Sequence, residues 1–214
     1  MLPYFKELPY ALNDATADRL LKLSLDLHAT HRNSTVHLFK REYAEKHKAP
    51  GKWYMDDSTE TLREIKTITE SILKCINIPY RSFDEFHAPC ILYAPAGSKL
   101  ATHVDHPDEN FNAKLQGNDG IGRSAALSIP LNYGVEEDPT VFYELSNTDS
   151  EAARCYYERK KLCIINTFAY HGTNILKNER YTFQISFDLD MYSDFNFDGI
   201  ISTNLAGCPL INLK

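Results

Sequence analysis

Short apolar runs alternate with turn residues after Pro79, and this pattern constrains the fold of the chain more than any other feature. The runs are CILYAP, LATHV, RSAALSIPLN, TVFYEL, LCIINTF and RYTFQISFDLD. Runs of this length, bounded by Gly, Pro, Asn and Asp, are typical of β-strands. The second half of the chain is therefore predicted to form an antiparallel sandwich or barrel.

Two helices are predicted before these strands. NDATADRLLKLSLDLHATH, residues 13–31, begins with a capping Asn13 or Asp14 and carries apolar residues at helical spacing. DDSTETLREIKTITESILKCI, residues 56–76, carries an apolar stripe, and Asp57 with Glu60 has the spacing of a capping box. Helices followed by strands predict an α+β fold, with the helices packed on one face of the sheet.

We treat the 214 residues as a single domain with three parts. Residues 1–80 are predicted to be a helical support region and residues 81–190 the strand-rich core. Residues 191–214 form a C-terminal extension that is too apolar for a free tail. We expect this extension to pack on the body or on a second subunit, which leaves a homodimer open.

The strand alternation predicts two chemically different faces. In RYTFQISF one face carries the polar residues and the other the aromatic and aliphatic ones; the polar set is Arg180, Thr182, Gln184 and Ser186. In RSAALSIPL the small face carries Ser128. Each polar face meets either solvent or a wet cavity inside the sandwich, and periodicity alone leaves both interpretations open.

Composition narrows the function classes. The net charge is −6, which argues against a nucleic-acid partner because phosphate binding usually requires a basic surface. Five cysteines without a CxxC spacing favour a reducing cytoplasm over a disulfide framework. No apolar stretch reaches the ~20 residues that span a bilayer. We therefore expect a soluble, cytoplasmic protein without a membrane partner.

One segment carries a candidate metal site. THVDHPD contains two His-x-Asp pairs, His103 with Asp105 and His106 with Asp108. Two imidazoles and one carboxylate suit non-haem Fe(II), provided that a second histidine lies nearby. The best candidate for it is His171, which follows an apolar strand and precedes a Gly-Thr-Asn turn.

Arg180 begins a predicted strand nine residues after His171. A hairpin of this length brings the arginine back toward the histidine. A guanidinium deep in a pocket needs a carboxylate, which its planar fork binds bidentately. The partner is either a ligand or, for an arginine at the surface, Glu179 or solvent.

Taken together, these residues resemble the Fe(II)/2-oxoglutarate-dependent dioxygenases. The order Tyr93, His103-Val104-Asp105, His171, Arg180 is similar to the prolyl 4-hydroxylase-like branch, as are LYAPAGSKLATHVDHP, RSAALSIPLN and HGTNILKNERYTFQISFD. The aspartyl/asparaginyl hydroxylase-like branch, which also ends one strand in Ile-Pro-Leu, is the second choice. The resemblance covers about residues 90 to 190 and implies a double-stranded β-helix, a jelly-roll or cupin-like barrel.

The resemblance also distinguishes the two His-x-Asp pairs. In the family the first histidine follows a 2-oxoglutarate-binding tyrosine by about ten residues, and Tyr93 precedes His103 by ten. The resemblance thus implies an iron site of His103, Asp105 and His171. It also implies that the far carboxylate of 2-oxoglutarate pairs with Arg180. The other implied contacts of that cosubstrate are Thr182, Tyr93 and Ser128.

The implied reaction consumes O2 and 2-oxoglutarate and releases succinate and CO2. Asp105 favours hydroxylation, because halogenating relatives carry a small residue in its place. The implied substrate is an amino-acid side chain, for example proline, either free or in a peptide. Two readings outside this class stay open: a non-catalytic jelly-roll module that binds a small molecule, and a zinc hydrolase with a general base such as Glu109.

Overall fold

The structure is a computed structural model. It describes residues 4–31, 35–37, 59–75, 89–104, 125–134, 136, 138–144, 150–167, 169–187 and 210–213.

Both predicted helices are present. Helix α1 spans Asp14–His31, and the side chain of Asn13 accepts a hydrogen bond from the Thr16 amide at 2.7 Å, as expected of an N-cap. Helix α2 spans Glu60–Cys75 and begins later than predicted. Its cap is Thr59, whose hydroxyl accepts from the Leu62 amide at 3.2 Å, whereas the predicted cap Asp57 lies outside the described residues.

Ten strands are described. They are β1 Phe5–Leu12, β2 Thr35–His37, β3 Pro89–Ala94, β4 Ala125–Pro130, β5 Thr140–Tyr143, β6 Glu151–Cys155, β7 Lys161–Asn166, β8 Tyr170–Thr173, β9 Arg180–Phe187 and β10 Ile211–Leu213. Seven form a large sheet in the order β10-β1-β7-β4-β9-β3-β2, and three form a small sheet in the order β6-β5-β8. All pairings are antiparallel, so the predicted α+β class with antiparallel sheets is confirmed.

One face of the large sheet packs against the helices. Its apolar residues are fully buried with the leucines and isoleucines of α1 and α2; the sheet contributes Leu127, Ile129, Tyr181, Phe183 and Ile185, and the helices Leu20, Leu23, Leu27, Leu62, Ile65 and Ile72. Each such side chain contributes roughly 1.5–3 kcal/mol when fully buried. The helices thus cover this face, as predicted.

The opposite face of the large sheet is turned toward the small sheet. A second apolar cluster lies between them, formed by Ala126, Tyr133, Phe142, Cys155, Tyr157, Cys163 and Ile165. On the polar face of β9, Arg180, Thr182 and Gln184 are buried and do not meet open solvent, which decides between the two interpretations for these residues.

Several strands were not predicted from the sequence. β1 contains Pro9, and its register with β7 shifts between Glu7 and Ala11, so its alternation is broken where a strand signal was needed. β10 pairs with β1 of the same chain, so the end of the C-terminal extension joins the large sheet in cis. LATHV, predicted as a strand, forms only an isolated bridge at His103. Within the described part of the chain, neither helix has the length and apolar character needed to cross a membrane.

Candidate metal and diacid site

A cavity of about 430 Å³ lies between the two sheets. The large sheet contributes residues from β3, β4 and β9, and the small sheet contributes residues from β5 and β8. The polar lining residues are Tyr93, Ser98, Lys99, His103, Ser128, Tyr133, Thr140, Tyr157, His171, Thr173, Arg180, Thr182 and Gln184. Six of the seven candidate site residues line this cavity; the seventh, Asp105, lies outside the described residues.

His103 and His171 are direct neighbours although 68 positions separate them in the sequence. Each backbone amide donates to the carbonyl of the other residue, at 3.0 and 2.9 Å. In such an antiparallel pair the two side chains project to the same side. The centroids of the two imidazole rings lie 4.5 Å apart. The structure therefore brings together the two histidines that the sequence analysis selected.

Gly172 permits this close approach of the two segments. A Cβ atom at Gly172 would lie only 2.9 Å from the carbonyl oxygen of Leu100 and 3.2 Å from the backbone of Thr102. Thr173 secures the same contact, because its amide donates to the Leu100 carbonyl at 3.1 Å. A side chain at position 172 would push apart β8 and the segment that carries His103.

The tautomer of each histidine follows from its hydrogen bond. Nδ1 of His103 lies 2.8 Å from the carbonyl oxygen of Ala101, and Nδ1 of His171 lies 2.9 Å from that of Ala169. A carbonyl oxygen only accepts, so Nδ1 is the protonated nitrogen of each neutral ring. Nε2 therefore carries the lone pair, which is the arrangement that a metal-binding histidine needs.

The predicted carboxylate ligand is not tested by these coordinates. Asp105 lies outside the described residues, as do His106 and Asp108 of the second His-x-Asp pair. Within the described residues no group of three His, Cys, Asp or Glu side chains is close enough to hold a metal ion.

Arg180 is buried in the same cavity, with 5% of its surface exposed. One terminal nitrogen donates to the backbone carbonyl of Asp138, and the guanidinium carbon lies 4.7 Å from the centroid of the Tyr133 ring. Nε is buried and has no hydrogen-bond partner among the described residues. No described carboxylate forms an ion pair with Arg180: Glu179 lies beside the Tyr93 hydroxyl, and the Asp138 carboxylate accepts from the Lys177 amide.

Tyr133 is a site residue that the sequence analysis missed. Its ring lies against the Arg180 guanidinium, and its hydroxyl lies 2.7 Å from Oγ1 of Thr182. Burial raises the pKa of Tyr133 to about 12, although the bond to Thr182 and the charge of Arg180 act in the opposite direction. The strand β4 ends at Pro130, so the alternation that placed Ser128 on the cavity face gives no information about position 133.

Tyr93 lines the cavity and also packs against the core on the helix-covered face of the large sheet. Its partner across the β3–β9 ladder is Tyr181, on the helix-covered face. The Tyr93 ring packs 3.8 Å from His28 of α1, and its hydroxyl lies 3.4 Å from a carboxylate oxygen of Glu179. Burial, followed by the negative charge of Glu179, raises the pKa of Tyr93. The tyrosine whose ring lies against the Arg180 guanidinium is Tyr133, and the contact of Tyr93 with the cosubstrate stays a prediction.

Ser128 and Gln184 form a second polar pair in the cavity. They face each other across the β4–β9 ladder, and Nε2 of Gln184 donates to Oγ of Ser128 at 3.1 Å. Both side chains are buried. Gln184 lies on the same face of the predicted strand as Arg180 and Thr182. This shared face was the sequence signal that could have identified Gln184 as a site residue.

These residues fit a divalent metal ion and an acidic ligand. Two neutral imidazoles with lone pairs on Nε2 suit a metal ion such as Fe(II) or Zn(II). A buried guanidinium whose Nε has no partner among the described residues suits a carboxylate, because a buried charge without a counter-ion is strongly unfavourable.

No protein-family model matches the sequence, and no curated protein sequence matches it. Solved structures do match. A prolyl hydroxylase from Trichoplax adhaerens, in complex with a hypoxia inducible factor oxygen degradation domain peptide fragment, is 12% identical with a TM-score of 0.51 over 86% of this chain and 83% of that one. AviO1 from Streptomyces viridochromogenes Tue57 is 12% identical with a TM-score of 0.53 over 88% and 90%. The chain shares the overall fold of these proteins.

Proposed function

We propose that the protein is an Fe(II)- and 2-oxoglutarate-dependent oxygenase that hydroxylates an amino-acid side chain, such as proline, in a peptide or free. The observation that carries this proposal is the buried guanidinium of Arg180, which forms no ion pair with a described carboxylate, in the cavity that also holds His103 and His171. Two antiparallel sheets that enclose the site support a double-stranded β-helix as its architecture.

The proposed metal ligands are Nε2 of His103, Nε2 of His171 and the carboxylate of Asp105. The hydrogen bonds from each Nδ1 to a backbone carbonyl support this assignment, because they hold each ring in the metal-binding tautomer. Asp105 follows His103 by two positions in the sequence, which is the spacing of the His-x-Asp pair. When bound there, Fe(II) supplies the activation of O2 at the expense of the oxo acid.

The proposed anchor of 2-oxoglutarate is Arg180. Its guanidinium donates to the carboxylate farther from the metal, and the hydroxyl of Thr182 adds a second donor to the same group. Tyr133 holds the guanidinium from one side, and Ser128 lies farther along the same wall. The two sheets exclude water around these groups, which strengthens the ion pair.

The burial of Arg180 in the cavity weighs against a zinc hydrolase. A hydrolase needs two histidines, a carboxylate and a general base, and it gives no role to a buried cation that faces the same cavity. A binding module for a small acid uses the arginine but gives no role to two histidines in matched tautomers. A peptide substrate gains support from the prolyl hydroxylase of the same fold, whose structure contains a peptide fragment.

The test is the formation of succinate. The protein is loaded with Fe(II) and 2-oxoglutarate without oxygen, and air is then admitted in the absence of substrate. We expect succinate from the unaltered protein and none from a His171→Ala variant; a Gly134→Ala variant, whose added methyl meets its nearest atom at 3.7 Å, serves as the matched control. Equal succinate from the unaltered protein and from His171→Ala would refute the proposed function.

A further inference from the structure

Two free cysteines face each other across the space between the two sheets. Cys155 is the last residue of β6 in the small sheet, and Cys163 lies in β7 of the large sheet. Their Sγ atoms are 3.7 Å apart, and both side chains are buried in the apolar cluster that lies between the sheets. The two thiols, which we call the thiol pair, are therefore in direct contact although they belong to different sheets.

The thiol pair lies beside the cavity. Cys155 is paired in its ladder with Thr140, and Cys163 is paired with Ser128. Residues that are paired directly across an antiparallel ladder project to the same face of the sheet. Thr140 and Ser128 both line the cavity, so each thiol neighbours a cavity-lining side chain on the adjacent strand. A small, uncharged molecule that enters the cavity therefore has a short path to both sulfur atoms.

The geometry of the thiol pair suits a disulfide bond. The two sulfur atoms need to close from 3.7 Å to the separation of about 2.0 Å that an S–S bond requires. Rotation about the Cα–Cβ bonds and a small approach of the two sheets supply such a movement. The hydrogen bond with Cys155, followed by burial, raises the pKa of the Cys163 thiol. This thiol is therefore protonated at neutral pH, and we expect the pair to be oxidised slowly.

We propose that Cys155 and Cys163 form a redox modification site, at which hydrogen peroxide converts the two thiols into a disulfide bond that ties the small sheet to the large sheet. One thiol loses its proton and attacks a peroxide oxygen, the O–O bond breaks, and the products are a sulfenic acid and water. The second thiol then attacks the sulfenic sulfur, and the S–S bond forms as another molecule of water leaves. The peroxide gains the two electrons that the thiols lose. The inference needs neither a metal ion nor 2-oxoglutarate, so it does not depend on the proposed function.

The experiment treats the reduced, folded protein with hydrogen peroxide and maps the product. The remaining thiols are blocked with N-ethylmaleimide, and the protein is digested with trypsin. Cleavage after Arg159 and the two lysines that follow it places the two cysteines in different peptides, residues 155–159 and 162–177. We expect mass spectrometry to find these two peptides joined, with the loss of two hydrogen atoms. Treatment with dithiothreitol should separate them again.

The melting temperature shows whether the bond ties the sheets together. We expect peroxide to raise the melting temperature of the unaltered protein by several degrees, because the bond restrains the unfolded chain and links the two sheets. Cys155→Ala and Cys163→Ala each remove one sulfur atom, so peroxide should not raise the melting temperature of either variant. Cys208→Ala, which removes a cysteine outside the thiol pair, is the matched control and should show the full rise. Circular dichroism checks that each variant is folded.

Three results would overturn the inference. The two peptides stay separate after peroxide treatment of the folded protein, which would show that the thiols are an inert part of the apolar cluster; or the disulfide bond that forms joins other cysteines; or the melting temperature of the joined protein does not rise, or rises equally in Cys155→Ala and Cys163→Ala, which would show that the bond does not tie the sheets. The mapping uses the unaltered protein, so its result stands even where a variant fails to fold.

Discussion

Arg180 carries a charge that the described part of the protein does not neutralise. Its Nε is buried without a partner, and the carbonyl of Asp138 and the ring of Tyr133 orient the guanidinium without cancelling its charge. A residue that lowers the stability of the ligand-free protein but raises its affinity for an acid is typical of binding sites. Removal of such a residue should leave the ligand-free protein equally or more stable, whereas removal of a structural arginine makes the protein less stable.

Arg180→Met should therefore separate stability from binding. We expect the melting temperature of the ligand-free protein to stay the same or rise, since an uncompensated buried charge is removed. Binding of 2-oxoglutarate should weaken at least 100-fold, because the bidentate ion pair is lost. Thermal melting and calorimetry measure the two effects. A fall of several degrees in the melting temperature would instead indicate a structural arginine.

Because of Tyr133, the free energy of unfolding should fall as the pH rises through the alkaline range. Its pKa in the folded protein is about 12, above the value of about 10 for an unperturbed tyrosine, so the folded state retains a proton that the unfolded chain loses. The resulting stabilisation is fully present below pH 10 and disappears as the pH rises toward 12. We expect Tyr133→Phe, which cannot ionise, to lose less stability than the unaltered protein over that interval in denaturant titrations.

At the scale of elements, the pairing of β8 with the segment around His103 determines whether the two imidazoles meet. Gly172→Ala would place a methyl group 2.9 Å from the Leu100 carbonyl oxygen, a backbone atom that cannot move away alone. We expect a loss of about 1–3 kcal/mol of stability, as is usual for overpacking, and at least tenfold weaker metal binding.

Gly134→Ala is the matched control for this change. Its added methyl would meet nothing closer than 3.7 Å, which is an ordinary contact. We expect metal affinity, measured by competition with a chelator, to stay within twofold of the unaltered protein. If Gly172→Ala left metal affinity equally unchanged, His103 and His171 would not share a metal ion.

The same elements show what the sequence could predict. Period-two alternation in RYTFQISF placed Arg180 and Thr182 on one face correctly, because β9 is a regular eight-residue strand. Alternation failed where strands are short or interrupted, as in β1 around Pro9 and in the single bridge at His103. It also gives no information about Tyr133, which lies after the strand ends.

At the scale of the whole molecule, the cavity draws its walls from both sheets, so a ligand that spans it ties the sheets together. A ligand that binds only the folded state at 100 times its dissociation constant adds about 2.7 kcal/mol to the free energy of unfolding. We expect 2-oxoglutarate with Mn(II) to raise the melting temperature by several degrees. Pyruvate, which lacks the far carboxylate, should have little effect on the melting temperature. An equal rise with pyruvate would show that Arg180 does not bind the ligand.

The segment that joins β8 to β9 crosses from the small sheet to the large sheet, and is not the hairpin that the sequence predicted. β8 carries the His171 imidazole and β9 begins with the Arg180 guanidinium, so the separation of these two groups depends on the spacing of the two sheets. Loosening of the sandwich on warming should therefore change that separation. Discrimination among oxo acids by chain length should accordingly weaken on warming before the protein unfolds.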